Sequence, residues 1–344
     1  MITEVTSRPE AAGHAKLRAA VIGCGWIGSE VADDPRADGI QAHAAAYASC
    51  GDTQLIGVCD ADPMRAERAA RRWGLPRGAR DVGELLAEAR PQIVSVCTPD
   101  ATHAKVLRAV LNSPDIRAVV AEKPLALDLA EARTLVNLAN KRGVTLAVNY
   151  TRRFAASHIE AQRRIGAGAI GRVVAVQGLY TKGIIHNGSH WFDLARWLVG
   201  EITRIHAWQS PTDRECFDPT CHVRMTFAGG QTGVLLGLDE ERFTVFEMDV
   251  IGTEGRLRIA DSGMRLEWFA VAASPHYTGY QTLQSRGETV TGFRDVALRM
   301  VEDVVAALRN GTRPQCNGED AVAALAASDA ARRSLALGIE CTVE

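Results

Sequence analysis

Over the first half of the chain, short unbroken apolar runs alternate with amphipathic stretches. The runs fall at residues 17–23, 54–59, 93–97, 118–121 and 145–148. Short and rich in β-branched residues, they predict parallel strands covered on both faces. Helical stretches lie between them, among them 63–72 and 129–142. The second carries its own boundaries. Asp128 stands where an N-cap belongs, Glu131 follows at capping-box spacing, and Gly143 supplies a left-handed stop. This alternation predicts a parallel sheet with right-handed crossovers.

The pattern changes after residue 149. A helical stretch at 155–165 is followed by strand-like runs at 172–180, 202–209, 221–227, 231–238 and 244–251, expected to pair mostly antiparallel. Gly229-Gly230 is a hairpin turn signal between two of them. Helical stretches at 293–308 and 319–337 close the chain. There is no internal repeat and no low-complexity segment. The fold class is therefore α/β first and α+β second. A loose tail is expected over 1–15, a dinucleotide-binding domain over 16–148, and a substrate-binding and oligomerisation domain over 149–344.

Composition narrows the function. Of 344 residues, 39 are Lys or Arg and 41 are Asp or Glu, a net charge of -2. A nucleic-acid binder or a polybasic membrane-surface protein needs a basic excess, so neither partner is expected. No run of 18 apolar residues implies a membrane span, and the first fifteen residues lack the apolar core of a secretory signal. A cytoplasmic address follows as an expectation. The eight cysteines (Cys24, Cys50, Cys59, Cys97, Cys216, Cys221, Cys316, Cys341) form no CxxC pair and read as free, small hydrophobes.

Gly23-Cys24-Gly25-Trp26-Ile27-Gly28 follows the first strand directly. In a GxGxxG loop the first glycine permits a tight turn and the second lets backbone approach a pyrophosphate. The third lets helix and strand pack closely, and the helix N-terminus offers N–H groups to the phosphates. With a preceding strand and a following βαβ alternation, residues 23–28 are expected to bind a dinucleotide. Asp60 ends the second strand, where a carboxylate accepts hydrogen bonds from the ribose hydroxyls and favours NAD. It lies 32 residues beyond Gly28, against about 20 in the ordinary motif. The polar stretch 33–39 reads as an inserted loop that accounts for the excess. Arg65 and Arg68 follow Asp60 and suit a 2′-phosphate, so NADP stays open as the alternative.

Further motifs stand at strand ends, where open parallel sheets bind ligands. Thr98 and Pro99 end one run, with His103 four residues beyond Pro99; Glu122-Lys123-Pro124 ends the next; Asn149 ends the last and leads into Arg152-Arg153-Phe154. Proline bars helical geometry at Lys123. A lysine ammonium facing a nicotinamide pocket can exchange a proton with an alcohol. His186, His190 and Asp193 form a cluster at the start of a helix, able to bind hydroxyls and relay protons. A metal site made of the same three is the weaker reading, because Gly188 is expected to break the helix between the imidazoles; no metal is assigned.

These residues resemble those of the Gfo/Idh/MocA oxidoreductases, the glucose-fructose oxidoreductase and inositol dehydrogenase family. The resemblance runs from about Leu17 to the end, through GCGWIG, CTPDATH, AEKPLAL, NYTRRF, the histidine block with DLARWLVG, and the late GED. It implies a Rossmann domain followed by a large, open, mostly antiparallel sheet that mediates homodimers or homotetramers. It implies hydride transfer between NAD, or NADP, and a hydroxyl or keto carbon of a sugar, sugar derivative or cyclitol. Lys123 matches the family's proton-transfer lysine and His190 its histidine beside the reacting oxygen. Glu122, Thr98, Pro99 and His103 fall on the cofactor side, and Asn149, Arg153, His186 and Asp193 on the substrate side. Asp193 is expected to orient His190 or a neighbouring backbone group, and Arg153 to meet an anionic group. Where inositol-dehydrogenase-like members carry Asp four residues before the histidine, this chain has His186. Three rival readings stand beside this one: a non-catalytic NAD(P)-binding regulator, an enzyme using bound NAD transiently for epimerisation or elimination, and a metal-dependent isomerase.

Overall fold

The computed structural model describes residues 15–210, 217–238, 242–290 and 293–344. Most of the expected N-terminal tail, and Cys216, lie outside the described residues. The first sheet has five strands, β1 (Leu17–Ile22), β2 (Thr53–Cys59), β3 (Ile93–Val96), β4 (Ala118–Ala121) and β5 (Thr145–Val148), in the order β2-β1-β3-β4-β5. All pair in parallel, as the unbroken apolar runs required. The register aligns their carboxyl ends: Ile22 pairs with Cys59 and Val96, Val96 with Ala121, and Ala121 with Val148. One sheet edge therefore collects Gly23, Asp60, Cys97, Glu122 and Asn149.

Five helices connect and cover this sheet: α1 (His43–Ser49), α2 (Pro63–Arg72), α3 (Val82–Ala89), α4 (Asp100–Leu111) and α5 (Leu129–Arg142). Helix α5 begins and ends where its sequence signals stand. Asp128 accepts the Glu131 N–H at 2.8 Å, and Gly143 adopts a left-handed φ of 64°. The Glu131 carboxylate turns toward Arg108, 3.7 Å away, so the reciprocal half of the expected capping box gives way to an ion pair.

The first helix after the glycine loop is interrupted. A 3₁₀ turn (Glu30–Asp33) leaves the loop, and the chain re-enters helical geometry at His43. The N–H groups of His43 and Ala44 bond to the carbonyls of Ile27 and Gly28 at 3.1 and 3.0 Å. An uninterrupted α-helix would use Val31 and Ala32 for those bonds. Residues 31–42 are thus an excursion spliced into one helix, longer than the 33–39 loop the sequence suggested. It reaches the other end of the chain: Asp38 pairs with Arg294, and the Ile40 N–H bonds to Asp295.

After α6 (Ala156–Gly166), β6 (Val173–Tyr180) and α7 (Gly188–Val199) come β7 (Ile202–Trp208), β8 (His222–Phe227), β9 (Thr232–Gly237), β10 (Phe246–Gly252), β11 (Gly255–Ala260), β12 (Arg265–Ala273) and β13 (Gln281–Val290). Helices α8 (Val296–Asn310) and α9 (Gly318–Leu337) and the two-residue β14 (Cys341–Thr342) finish the chain. The nine strands form one sheet, β13-β12-β11-β10-β6-β9-β8-β7-β14, antiparallel except where β6 pairs with β9. Gly229-Gly230 makes the β8–β9 hairpin as expected. Strands β11 to β13 escaped the sequence reading because polar residues interleave them. In β11, Leu257 and Ile259 are buried while Arg256 and Arg258 reach Asp249 on β10. Helix α9 opens with a reciprocal capping box between Asn317 and Asp320. Helices α7 and α9 cover part of the large sheet, while α8 returns to pack on α1 and β5. No helix among the described residues is long and apolar enough to cross a membrane. No disulfide joins the described cysteines, and burial pushes the thiols of Cys24 and Cys59 up to about 12.

Candidate active site

The glycine loop has the shape its three glycines require. Gly23 holds φ +93°, and a Cβ there would stand 2.5 Å from the Cys97 carbonyl oxygen. A Cβ on Gly28 would stand 1.9 Å from the Gly23 oxygen. A Cβ on Gly25 would meet nothing within 4 Å, so this side of the loop is open. Ser29 and Glu30 direct their N–H groups to the Gly25 carbonyl, whereas those of Trp26 and Ile27 have no partner among the described residues. Open space beside unpaired amides fits a pyrophosphate. Asp60 braces the loop by accepting the Cys24 N–H at 2.7 Å. Arg65 and Arg68, the candidates for a 2′-phosphate, are both engaged by Glu30 Oε1 at 3.2 and 3.4 Å.

His103 is 1% exposed; its Nδ1 meets the Thr98 hydroxyl at 3.3 Å, and burial lowers its pKa. It supports Thr98 from behind, and its Nε2 is buried with no partner among the described residues. Pro99 opens α4 on the exposed side, and Thr98 packs beside Gly23.

Glu122 is the hub of a buried chain. Its Oε1 receives the Asn149 amide at 2.6 Å and His43 Nε2 at 3.0 Å; His43 Nδ1 meets Ser95 Oγ at 2.8 Å, which meets the Tyr47 hydroxyl at 2.8 Å. Burial alone would raise the Glu122 pKa, but His43, Asn149 and the Lys123 charge bring it below the ordinary carboxylate range. Asn149 is 6% exposed and also accepts from Thr151, so it anchors Glu122. Sequence reasoning missed His43, because the excursion separates it from the glycine loop it belongs beside.

Lys123 projects from this hub. Its Nζ lies 3.0 Å from the His186 carbonyl oxygen and 3.4 Å from His186 Nδ1. Burial lowers the lysine pKa and nearby Arg152 adds to this, while Glu122, Asp100 and Asp218 oppose it. His186 is exposed, and its Nδ1 is also 3.8 Å from Asp100 Oδ2. Asp218 fixes the histidine's backbone by accepting the Ile185 and His186 N–H groups at 2.7 and 2.9 Å. Neither Asp100 nor Asp218 carried a sequence signal of this role.

His186 lies in a π turn (Gly183–Asn187) that runs straight into α7. Gly188 is helical, with φ −60° and ψ −35°, so the expected helix break is absent. Its reason is space: a Cβ would come within 2.9 Å of Ile184. His190 packs edge-on against Tyr150 at 5.4 Å, and its Nδ1 is buried without a partner. Burial, then Lys123, Arg152 and His186, holds its pKa well below the usual value. Among the described residues no group of three or more His, Cys, Asp or Glu is placed to hold a metal.

Arg153 and Asp193 turn to each other. Arg153 Nε and Nη2 bond to both Asp193 oxygens at 2.8–3.1 Å, and Asp320 and the Gln315 carbonyl take further donors at 3.3 Å. Burial opposes the Arg153 charge, but the two carboxylates keep it ionised. This departs from both expectations: the Arg153 charge is taken up by Asp193 and Asp320 instead of an anionic ligand, and both Asp193 oxygens face Arg153 instead of His190. Arg152 is the arginine whose charge reaches the reactive groups. It stacks on Phe246 at 3.5 Å and donates to the Ser262 carbonyl.

A glycine cradle at a parallel sheet's carboxyl edge, with a desolvated lysine on the same edge, defines a dinucleotide-binding oxidoreductase. Residues 17–150 match the oxidoreductase family with an NAD-binding Rossmann fold, and residues 183–340 match that family's C-terminal α/β domain. The chain belongs to the Gfo/Idh/MocA oxidoreductase family. It is 26% identical over 351 residues to an inositol 2-dehydrogenase of Rhizobium meliloti, covering 93% of this chain and 97% of that one. It is 25% identical to a D-apiose dehydrogenase of Paraburkholderia graminis, covering 92% and 86%. Its fold is similar to that of an NAD binding oxidoreductase from Klebsiella pneumoniae, with a TM-score of 0.80, 20% identity and coverage of 96% and 100%.

Proposed function

We propose that this chain is an NAD-dependent dehydrogenase acting on a secondary hydroxyl of a sugar, sugar derivative or cyclitol, reversibly. The similarity to inositol and apiose dehydrogenases supports the substrate class. The observation that carries the chemistry is the position of Lys123. It follows β4 on the edge that holds the glycine cradle, with its ammonium desolvated and kept beside His186.

NAD, when bound, supplies the hydride acceptor. The amides of Trp26 and Ile27 would meet its pyrophosphate, and Asp60 its ribose. Lys123 manages the proton. In its neutral form Nζ takes the proton from the substrate hydroxyl as the carbon is oxidised; in its charged form it returns that proton to the carbonyl during reduction. His186 Nδ1, within reach of Nζ, passes the proton toward Asp100 and solvent. His190, kept neutral, offers Nε2 as a hydrogen-bond partner to the reacting oxygen. Glu122, fixed by His43 and Asn149, holds the strand end from which Lys123 projects.

The open face of the large sheet, where Leu179, Val234 and Leu236 lie beside Glu247, Asp249 and Arg258, is the proposed contact with a second copy of the chain.

The test is NADH formation, followed by absorbance, with a panel of inositols, aldoses and sugar acids. Hydride transfer to NAD+ with at least one polyol supports the reading; none across the panel, with NAD+ bound, would favour the non-catalytic regulator.

A further inference from the structure

We infer that Glu30 decides which nicotinamide dinucleotide this chain accepts, by occupying two arginines that would otherwise receive a 2′-phosphate. This rests on the proposed cofactor site.

Asp60 ends β2 with one carboxylate oxygen on the Cys24 N–H and the other on the Asp62 N–H, at 2.7 and 2.9 Å. Helix α2 starts immediately afterwards. Arg65 lies in its first turn, near enough to the glycine loop to bear electrostatically on the Cys24 thiol. Arg68 follows nearly one turn later on the same face. Two guanidinium groups beside the ribose end of the site would make a fork for a phosphate dianion. Here both point at one oxygen of Glu30, Arg65 Nε at 3.2 Å and Arg68 Nη2 at 3.4 Å. A 2′-phosphate would have to displace that carboxylate or lie against it as a like charge. A ribose hydroxyl meets no such penalty.

An exposed ion pair is weak when its partners are free to wander, but the backbone that carries Glu30 is held. Its N–H bonds to the Gly25 carbonyl at 3.0 Å. The turn it opens is clasped along α2: Trp73 Nε1 donates to Ser29 Oγ at 2.9 Å, Arg72 donates to the Ala32 carbonyl at 2.9 Å, and Arg72 also pairs with Asp33. The excursion at 31–42 makes this clasp possible, because it releases the chain from helical geometry just past the glycine loop. Glu30, the residue just before the inserted segment, is thereby set with its carboxylate over the arginines of α2.

The experiment is equilibrium binding of NAD+ and NADP+ to the full chain by titration calorimetry, for the wild type, Glu30→Gln and Glu30→Gln/Arg65→Ala. Glu30→Gln is expected to shift the ratio of the two affinities toward NADP+ by about tenfold or more, since a charge-assisted contact to phosphate is restored. Arg65→Ala in that background is expected to remove most of the shift, and added salt to diminish it. An unchanged ratio in Glu30→Gln, or a shift that survives loss of Arg65, would overturn the inference while leaving the cofactor site intact. A wild-type chain that binds neither dinucleotide would overturn both.

Discussion

Lys123 Nζ lies 3.0 Å from the backbone carbonyl of His186 and 3.4 Å from its ring. The lysine comes from the edge of the first sheet and the histidine from the turn before α7, so this contact joins the two halves of the site. The carbonyl holds the lysine whichever side chain stands at 186; the imidazole Nδ1 lies beside the same ammonium.

Lys123→Ala should leave NAD+ affinity nearly unchanged and reduce kcat by about 10²–10⁴, the ordinary contribution of a positioned proton-transfer group. Calorimetry for binding and stopped-flow absorbance for turnover separate the two. Undiminished turnover in the purified variant would remove the lysine from the mechanism.

Because burial lowers the Lys123 pKa, the base form is present at lower pH than in an ordinary lysine. The kcat/KM for alcohol oxidation should rise with pH and level off below the usual lysine range, around pH 10.4. The reduction should run the opposite way, falling as the ammonium is lost. A limb that stays in place when Lys123 is replaced by Arg belongs to another group.

His186→Asp places a carboxylate near the ammonium. An anion stabilises the charged lysine, so the oxidation limb should move to higher pH while the carbonyl contact survives. A pH profile identical to the wild type would show that the residue 186 side chain plays no part in proton transfer.

Arg153 and Asp193 are a buried pair, 5% and 1% exposed. Arg153→Ala strands the Asp193 charge and should destabilise the fold by about 3–5 kcal/mol. Arg153→Met/Asp193→Leu, which removes both charges, should cost markedly less. Urea unfolding of the three proteins decides it; equal losses would show that the charge pairing is not the cause.

His158 is buried beside Arg152, and burial and that charge lower its pKa to about 3. The unfolded chain protonates this ring near pH 6.5 while the folded chain keeps it neutral, so stability is full above 6.5 and falls toward pH 3. One proton gives a slope of about 1.4 kcal/mol per pH unit at its steepest. His158→Phe should flatten that part of the acid-unfolding curve; an unaltered slope would assign it to other groups.

The glycine loop and the strand-end motifs were legible because their signals are local. A tight turn at Gly23 and a proline after Lys123 constrain the backbone where they stand, whatever lies elsewhere. Pairings across sequence distance were not legible. Arg153 and Asp193 are 40 residues apart, and nothing in either neighbourhood says they face one another instead of a ligand. His43 and Glu122 meet only because parallel register and a spliced helix bring them together. Strand β11 was hidden because alternating arginines masked a half-buried pattern whose partner, Asp249, lies on the neighbouring strand.

The sequence by itself determined the parallel sheet and the motifs that stand at its strand ends, because apolar periodicity and glycine sterics act within a few residues. The tertiary structure alone decided which charges are spent on one another and which remain for a ligand. A guanidinium or carboxylate becomes structural or functional according to which partner its burial brings within about 3 Å, and that depends on sheet register and helix packing across the whole chain.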